Sequence, residues 1–276
     1  MAALLVGCGR GAPAGAPPKR RVVSLSPSTT EALFALGAGG LLVGRSRFCD
    51  HPREVEGIPV VGGYSDPNIE AVLALAPTLV VGAQGPAGPS LAERLAAHHI
   101  ETYFPRTESF GEIAEMLVGL GARLDRAAEA HALTAQIHGQ RLAVDRATEA
   151  LAAPRAVMLF DTGPIVVAGP GGFPDEMMRL ARAGNVITEG GAYPTIGLER
   201  LIALDPEVLL DGVGAGVEGS SPLLAKRDAP GWRSLRAFAN GRVHAVGSKV
   251  LRPGPRIGEG LLELARALHG AAMEAR

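Results

Sequence analysis

Two segments of the chain share one pattern, and this repeat restricts the fold more than any other feature of the sequence. The segment from Ile69 to Val81 reads IEAVLALAPTLVV, and the segment from Leu198 to Leu210 reads LERLIALDPEVLL. Every Val, Leu or Ile of the first segment meets a Val, Leu or Ile in the second. Each segment predicts a short helix that stops before a proline and leads into a buried strand. Its recurrence in the second half of the chain predicts two similar halves.

Strands alternate with helices on both sides of a long helical segment, which predicts an α/β fold with parallel sheets covered by helices. The first half has candidate strands at 21–25, 41–43, 60–61, 79–81 and 102–104 and helices near 68–76, 88–98 and 109–123. After Pro154 the alternation restarts, with strands at 156–160, 208–210 and 243–246 and helices at 174–183, 198–204 and 256–272.

Residues 125–152 contain one glycine and no proline, so they predict one rigid helix of about 40 Å between the halves. With 276 residues, 47% of them hydrophobic, the chain can bury two cores of ordinary size. The expected fold is two Rossmann-like lobes, with a signal remnant and flexible tether at 1–20, an N-terminal lobe at 21–124, the interlobe helix at 125–152 and a C-terminal lobe at 153–276. One continuous α/β domain with a peripheral helix is the alternative.

The charge balance and the missing motifs exclude several functions. Lys and Arg number 27 against 28 Asp and Glu, which leaves no basic excess for nucleic acid. The sequence has neither a Gly-x-Ser-x-Gly elbow nor a phosphate-binding Walker loop. We therefore assign no catalytic residue and no metal site, and an α/β enzyme is the least favoured interpretation.

Cys8 ends an apolar stretch, Leu5-Val6-Gly7-Cys8, that resembles the lipidation signal of a bacterial lipoprotein. Only seven residues precede Cys8 and none is basic, so we expect the true start to lie upstream. A chance cysteine in a flexible terminus is the alternative. With Cys8 lipidated, Cys49 would have no disulfide partner within the chain.

Each repeated segment opens with a glutamate, Glu70 or Glu199, in the first turn of its helix. A carboxylate there is stabilised by the helix dipole, by about 0.3–1 kcal/mol. The pair also places one negative charge on each lobe, which suits a symmetric partner with basic residues. On the residues alone, the two interpretations are equally good.

Three stretches resemble one family of proteins. The stretch from Val60 to Glu70 (VVGGYSDPNIE), followed by Ala-Leu-Ala-Pro, resembles the N-lobe signature of periplasmic solute-binding proteins for cobalamin, haem and ferric siderophores. Phe48 to Pro52 and Arg252 to Arg256 look most like the cobalamin-binding branch. The resemblance implies two α/β lobes joined by a long helix, little closure on binding, and a periplasmic monomer. Together with the stretch that ends at Cys8, it predicts a protein anchored to the membrane through that cysteine. It also implies that Glu70 and Glu199 dock on the transmembrane permease dimer of an ABC importer.

A large flat ligand between two lobes requires loops at the carboxyl ends of the strands. The candidate ligand-binding residues are Ser26, Pro27, Ser28, Cys49, Asp50, Gly63, Tyr64, Gln84 and Gly85 on the N-lobe, and Asp161, Gly171, Gly172, Tyr193 and Arg252 on the C-lobe. We expect cobalamin or another corrinoid as cargo, with no cofactor of the protein's own. Haem, with the Tyr64 phenolate on its iron, or a ferric siderophore is the alternative.

Overall fold

The N-terminal lobe is built on a four-stranded parallel sheet. The structure is a computed structural model that describes residues 20–85, 88–213 and 221–274. The strands of the N-terminal sheet are β1 (Val22–Ser24), β2 (Leu42–Arg45), β3 (Leu79–Val81) and β4 (Glu101–Tyr103). Their order across the sheet is β2-β1-β3-β4. All neighbouring strands run parallel, as predicted.

Four α-helices surround this sheet: α1 (Pro27–Ala35), α2 (Ile69–Ala74), α3 (Gly88–Ala96) and α4 (Phe110–Arg123). Short 3₁₀ turns at Gly39–Leu41 and Arg53–Gly57 flank β2. The predicted strand at 60–61 was wrong, because Val60 makes only an isolated bridge to Arg45. The chain turns away directly afterwards, where Gly62 has a positive φ of 103° and bridges to Pro67.

The long helix between the sheets is α5 (Ala127–Thr148), and it is shorter than predicted. Its 22 residues span about 33 Å. It cannot begin at Asp125, because that residue has the left-handed φ of 55° and separates α5 from α4. The exact division of the chain into lobes stays a prediction.

The C-terminal sheet is mixed, which corrects the expectation of parallel strands throughout. The order is β10-β9-β5-β6-β8, with β7 paired to β5. Its strands are β5 (Arg155–Thr162), β6 (Ile165–Val167), β7 (Gly184–Asn185), β8 (Thr195–Ile196), β9 (Val208–Asp211) and β10 (Val243–Ala245). β6 runs antiparallel to β5 and β8. The reason is the two-residue connection Gly163–Pro164, since so short a loop joins only antiparallel strands.

The helices of this lobe are α6 (Phe173–Leu180), α7 (Leu198–Leu204), α8 (Arg236–Ala239), α9 (Ser248–Leu251), α10 (Ile257–His269) and α11 (Ala271–Glu274). Two 3₁₀ turns, Pro222–Lys226 and Trp232–Ser234, complete it.

The repeated segments form the same unit in both lobes, held by an equivalent arginine. Arg21 precedes β1 and donates from Nη2 to Leu75 O, at the end of α2, at 2.8 Å. Arg155, the first residue of β5, donates from Nη2 to Leu204 O, at the end of α7. The residues before the two prolines, Ala76 and Asp205, have left-handed φ values of 44° and 40°. The sequence repeat is therefore a structural repeat that includes the strand before it.

One apolar core runs through both lobes. Leu33 of α1 and Leu117 of α4 belong to the same buried cluster as Ile137 of α5, Met177 of α6 and Leu261 of α10. Separate clusters cover the other face of each sheet, around Val80 in the N-lobe and Leu209 in the C-lobe. Burial of this shared core holds the lobes together, because apolar side chains on α5 pack against both.

Candidate functional site

Two polar bridges join the lobes at opposite ends of the N-terminal sheet. The first, the charged bridge, consists of Glu31 and Asp50 from the N-lobe with Arg252 and Arg256 from the C-lobe. Glu31 lies on α1, after β1, Asp50 follows β2, and the two arginines come after β10. The second, the cap bridge, consists of Glu108, after β4, and Glu176 of α6, each bonded to the backbone of the other lobe. In sheet order the end of β3 falls between the two bridges. We call the region between the bridges, at the carboxyl ends of the strands, the interlobe cleft.

Glu31 is the centre of the charged bridge. Its side chain is only 3% exposed and accepts hydrogen bonds from Arg256 Nε and Nη2, both at 2.8 Å, and from Arg252 Nη1 at 3.2 Å. Arg252 also donates to both carboxylate oxygens of Asp50, with a distance of 2.7 Å from Nη2 to Oδ2. This bond holds the pKa of Asp50 below its usual value. The predicted site residues Asp50 and Arg252 are thus brought together, bound to each other.

In the cap bridge each lobe caps a helix of the other. Glu176 of α6 accepts from the backbone N–H of Phe110, the first residue of α4, at 2.6 Å. Glu108 accepts from the backbone N–H of Phe173, the first residue of α6, at 3.4 Å. These N–H groups have no partner within their own helices. The exchange therefore fixes the two helix starts to each other.

Tyr64 lies beside the carboxyl end of β3 in the N-lobe. Its hydroxyl donates to the carbonyl oxygen of Gln84, just after β3, at 3.3 Å. Its ring lies against Gly85, where an added Cβ would come within 2.8 Å of the ring carbon Cζ. Gly63 also has no room for a side chain, because the Arg47–Asp66 ion pair occupies that space. Gln84 and Gly85 thus hold the ring of Tyr64.

Tyr193 occupies the corresponding position on the C-lobe. It lies six residues before Glu199, as Tyr64 lies six before Glu70. Tyr193 is 53% exposed and Tyr64 is 37% exposed, so both are among the exposed large hydrophobic residues. Phe160 on β5 packs edge-on against Tyr193, with ring centroids 5.5 Å apart. Partial burial, and secondarily Glu108, raises the pKa of Tyr193, so its hydroxyl stays neutral at physiological pH. Two of the chain's three tyrosines therefore take repeat-equivalent positions.

The hydroxyls of Ser26 and Ser28 are directed into the protein. Both residues are buried, and their oxygens lie 3.1 Å apart. Ser26 Oγ also accepts from the backbone N–H of Ala83, at 3.1 Å, and caps α1, of which Pro27 is the first residue. These contacts link the ends of β1 and β3, which gives the serines a structural use whether or not they also contact a ligand.

Cys49 is buried and Phe48 is exposed, a division that the sequence analysis missed. Cys49 is 1% exposed, its Sγ accepts from Thr30 Oγ1 at 3.0 Å, and burial raises the pKa of its thiol. Phe48 is 52% exposed, with the Arg47 guanidinium carbon 4.9 Å from the centre of its ring. The loop has no regular periodicity that would have shown which of the two neighbours faces outward. Phe48 therefore joins Asp50 as a candidate contact residue.

The remaining C-lobe candidates shape loops. Asp161 folds its carboxylate back onto the N–H groups of Thr162 and Gly163, at 2.6 and 3.0 Å. Gly171 has a positive φ of 86° and an open position, which favours glycine. Gly172, before α6, is packed against Ala192. Of these, Gly171 and Asp161 are exposed and Gly172 is buried.

A separate cavity of about 250 Å³ lies on the α5 side of the charged bridge. It is lined by Glu31, Phe34, Ala35, His51, Pro52, Leu133, Gln136, Pro255, Arg256 and Glu259. Ligand pockets usually measure about 300–1,000 Å³, so this cavity is too small to enclose a tetrapyrrole.

Glu70 and Glu199 are both exposed at the starts of equivalent helices. α2 is capped by the Asn68 side chain, which accepts from Ala71 N at 3.0 Å, so capping does not require Glu70. In the part of the chain that the structure describes, neither glutamate forms an ion pair. Cys8 lies outside the described residues.

Within residues 20–85, 88–213 and 221–274, no group of three or more His, Cys, Asp or Glu side chains is placed to hold a metal ion. No helix in the same ranges is both long and apolar enough to span a bilayer.

Comparison with known proteins gives one family. The model of the periplasmic binding protein family matches residues 22–250. A cobalamin-binding protein from Halobacterium salinarum is 27% identical over 92% of this chain and 70% of its own length. A vitamin B12-binding protein from Vibrio parahaemolyticus is 26% identical over 90% of this chain and 88% of its own.

Solved structures agree on the architecture. The apo form of the periplasmic haem-binding protein RhuT from Roseiflexus superposes with a TM-score of 0.80 and 27% identity, over 92% of this chain and 99% of that one. The vitamin B12-binding protein BtuF of Vibrio cholerae gives a TM-score of 0.75 at 24% identity, over 94% and 99%. The predicted two-lobed α/β architecture is thus confirmed.

Proposed function

The chain belongs to the periplasmic binding protein family, and from that membership we propose that it is the extracytoplasmic solute-binding component of an ABC importer with a corrinoid as its cargo. The observation that carries the proposal is the pair of exposed tyrosines, Tyr64 and Tyr193, at equivalent positions of the two lobes. Two exposed aromatic rings, one on each lobe, suit a large flat ligand, which each ring would contact over apolar surface.

The choice of a corrinoid over haem rests on two observations. The sequence relatives quoted above are named for cobalamin or vitamin B12. In addition, the Tyr64 hydroxyl donates a hydrogen bond to Gln84 O, whereas an iron-binding phenolate has no proton left to donate. A corrinoid arrives with its cobalt held by its own ligands, so Tyr64 needs to supply only ring contact.

Binding is tested on the full chain carrying Cys8→Ser, by calorimetry with cyanocobalamin and by absorption spectroscopy with haemin. We expect one-to-one binding of cyanocobalamin with micromolar or better affinity. Tyr64→Ala and Tyr193→Ala should each weaken it about tenfold, because each removes a ring from the cleft. The matched control is Leu142→Ala, which truncates an exposed apolar side chain on α5, away from the cleft.

Tyr64→Phe separates the two cargoes, because it removes the hydroxyl and keeps the ring. Cyanocobalamin binding should change less than about threefold, since the lost hydrogen bond is long and exposed. If cyanocobalamin gives no heat while haemin gives a Soret shift that Tyr64→Phe abolishes, the cargo is haem.

We also propose that Glu70 and Glu199 dock on basic residues of the permease dimer. Support comes from their exposure, their equivalence in the repeat and the capping of α2 by Asn68. The double variant Glu70→Ala with Glu199→Ala should keep its cargo affinity and lose transport with the reconstituted importer. The control is Glu93→Ala with Glu149→Ala, which removes two other exposed glutamates. Cargo affinity lost in the first double variant would contradict the docking role.

Lipidation of Cys8 is proposed from the sequence pattern alone. Expressed in a bacterial host, the protein should sediment with membranes, and Cys8→Ser should release it. Release of neither form, or of both, would argue against the anchor.

A further inference from the structure

The charged bridge contains equal numbers of positive and negative groups. Glu31 and Asp50 supply two carboxylates, and Arg252 and Arg256 supply two guanidinium groups. Glu31 is buried and is bonded to both arginines. Asp50 is different: its side chain is 58% exposed, and its partner Arg252 is 21% exposed. Asp50 and Arg252 are therefore the solvent-facing part of a neutral group of four.

The position of the pair makes it a candidate wall of the cleft. Asp50 lies in the loop after β2, next to the exposed ring of Phe48, and Arg252 follows β10 and α9. Both loops leave the carboxyl ends of edge strands, where the two lobes meet. A ligand held between Tyr64 and Tyr193 is bounded on the β2 side by this pair.

An arginine that already holds a carboxylate with two N–H groups differs from a free one. The two bonds to Asp50 occupy the fork of Nη1 and Nη2, and Nη1 also bonds Glu31, so a second carboxylate could reach only the remaining N–H groups, beside Asp50. A ligand carboxylate would have to displace Asp50 or accept its repulsion. A primary carboxamide meets no such cost, because its NH₂ can donate to Asp50 and its oxygen can accept from Arg252.

We infer that Asp50 is a specificity-determining residue: by neutralising Arg252 it makes this end of the cleft accept tetrapyrroles with neutral carboxamide side chains and disfavour those with carboxylates. The inference rests on the proposed function and deepens it. Lys249, three residues before Arg252, pairs with Glu259 at 2.9 Å and so adds no unpaired positive charge to this group.

The test uses two pairs of ligands, and the members of each pair differ mainly in charge. Haemin carries two propionates, and in its dimethyl ester these are neutral. The quantity measured is the ratio of dissociation constants, ester over haemin, in the full chain with Cys8→Ser. The same ratio is taken for cyanocobalamin against its monocarboxylic acids, in which one carboxamide is hydrolysed. In both pairs the dissociation constant of the neutral ligand is divided by that of the anionic ligand. A higher ratio therefore means that the protein binds the carboxylate more tightly than the neutral group.

For the protein with Asp50 in place we expect ratios no higher than about three, because Asp50 neutralises the charge of Arg252. Asp50→Asn should raise the ratio about tenfold for at least one ligand pair, since Arg252 then gains a charge-assisted bond with the carboxylate. Adding Arg252→Gln to Asp50→Asn should return the ratio to its starting value. The matched control is Asp145→Asn, which removes an aspartate paired with an arginine on α5.

Four results would overturn the inference: an unchanged ratio in Asp50→Asn, a ratio of ten or more before substitution, a gain that survives Arg252→Gln, or an equal gain in Asp145→Asn. If Asp50→Asn does not melt cooperatively by circular dichroism, Asp50→Ala replaces it under the same criteria. The proposed function fails separately, when the unsubstituted protein does not bind cyanocobalamin. Binding of no tetrapyrrole at all overturns both.

Discussion

The two bridges between the lobes differ in how they are built. The charged bridge uses a buried carboxylate, Glu31, bonded to two guanidinium groups, whereas the cap bridge uses the side chains of Glu108 and Glu176 on backbone N–H groups. A buried charge is costly to leave unpaired, while a helix start can replace a lost cap with water. The comparison teaches that the β2 end fixes the lobes strongly and that the β4 end mainly sets their alignment.

The largest effect is expected from Glu31→Ala, which leaves Arg252 and Arg256 without their shared partner. Removing one member of a buried ion pair costs about 3–5 kcal/mol. Urea denaturation should show this loss of unfolding free energy. In the Cys8→Ser background, Cys49 becomes the only cysteine, and its labelling by a thiol reagent should accelerate, because Thr30, its hydrogen-bond partner, precedes Glu31 on α1. A loss no larger than that of Glu176→Ala would make the two bridges equivalent.

Glu176→Ala should come next. It removes the 2.6 Å hydrogen bond that the backbone N–H of Phe110, at the start of α4, donates to Glu176. The Glu176 side chain is 24% exposed. Charged hydrogen bonds contribute about 1.5–3 kcal/mol, and partial exposure places the expected loss near the lower value. Urea denaturation measures it, with Arg179→Ala as control for the exposed ion pair that Glu176 also makes. An equal loss in that control would assign the effect to the ion pair.

Glu108→Ala should cost less, at most about 0.5 kcal/mol, because the residue is exposed and its bond to Phe173 N is 3.4 Å long. Hydrogen exchange at the amide of Phe173 is the sharper measurement, since this N–H should become less protected. A loss as large as that of Glu176→Ala would show that the two caps are equally strong.

The smallest expected effect is the contribution of Asp50 to stability at acidic pH. Asp50 has a lowered pKa in the folded protein, so its contribution is present above the unfolded value, near about 4, and disappears as the pH falls through the folded value. Between pH 5 and the acid transition, the stability of Asp50→Asn should therefore fall less steeply with pH than that of the unsubstituted protein. Thermal melts across that range measure it, and identical slopes in both proteins would contradict it.

The sequence predicted the parts of the fold that depend on local pattern. The repeat located α2, β3, α7 and β9, because apolar periodicity and a proline specify such a unit. The hairpin at Gly163–Pro164 was missed, because β5 and β6 were read as a strand followed by a loop. Its two-residue connection was the available signal.

The site was predicted less completely, because its contacts join distant residues. Tyr64 and Arg252 were identified from their loops, but the pairing of Arg252 with Asp50, 202 residues away, has no local signature. The same holds for the caps that Glu108 and Glu176 provide. In the loop at 48–50, the choice between Phe48 and Cys49 depends on which side chain the fold buries, and a loop without regular periodicity leaves that undecided.

The repeat also has a consequence for recognition by a twofold-symmetric partner. Because Arg21 and Arg155 anchor α2 and α7 in the same way, the two halves of such a partner would meet similar helix starts, one on each lobe. Either half of the partner could then use the same basic residues for Glu70 or for Glu199. The two helix starts differ only locally: Asn68 caps α2, whereas Gly197 precedes α7 without a side-chain cap, and Arg200 pairs with Glu189 beside Glu199.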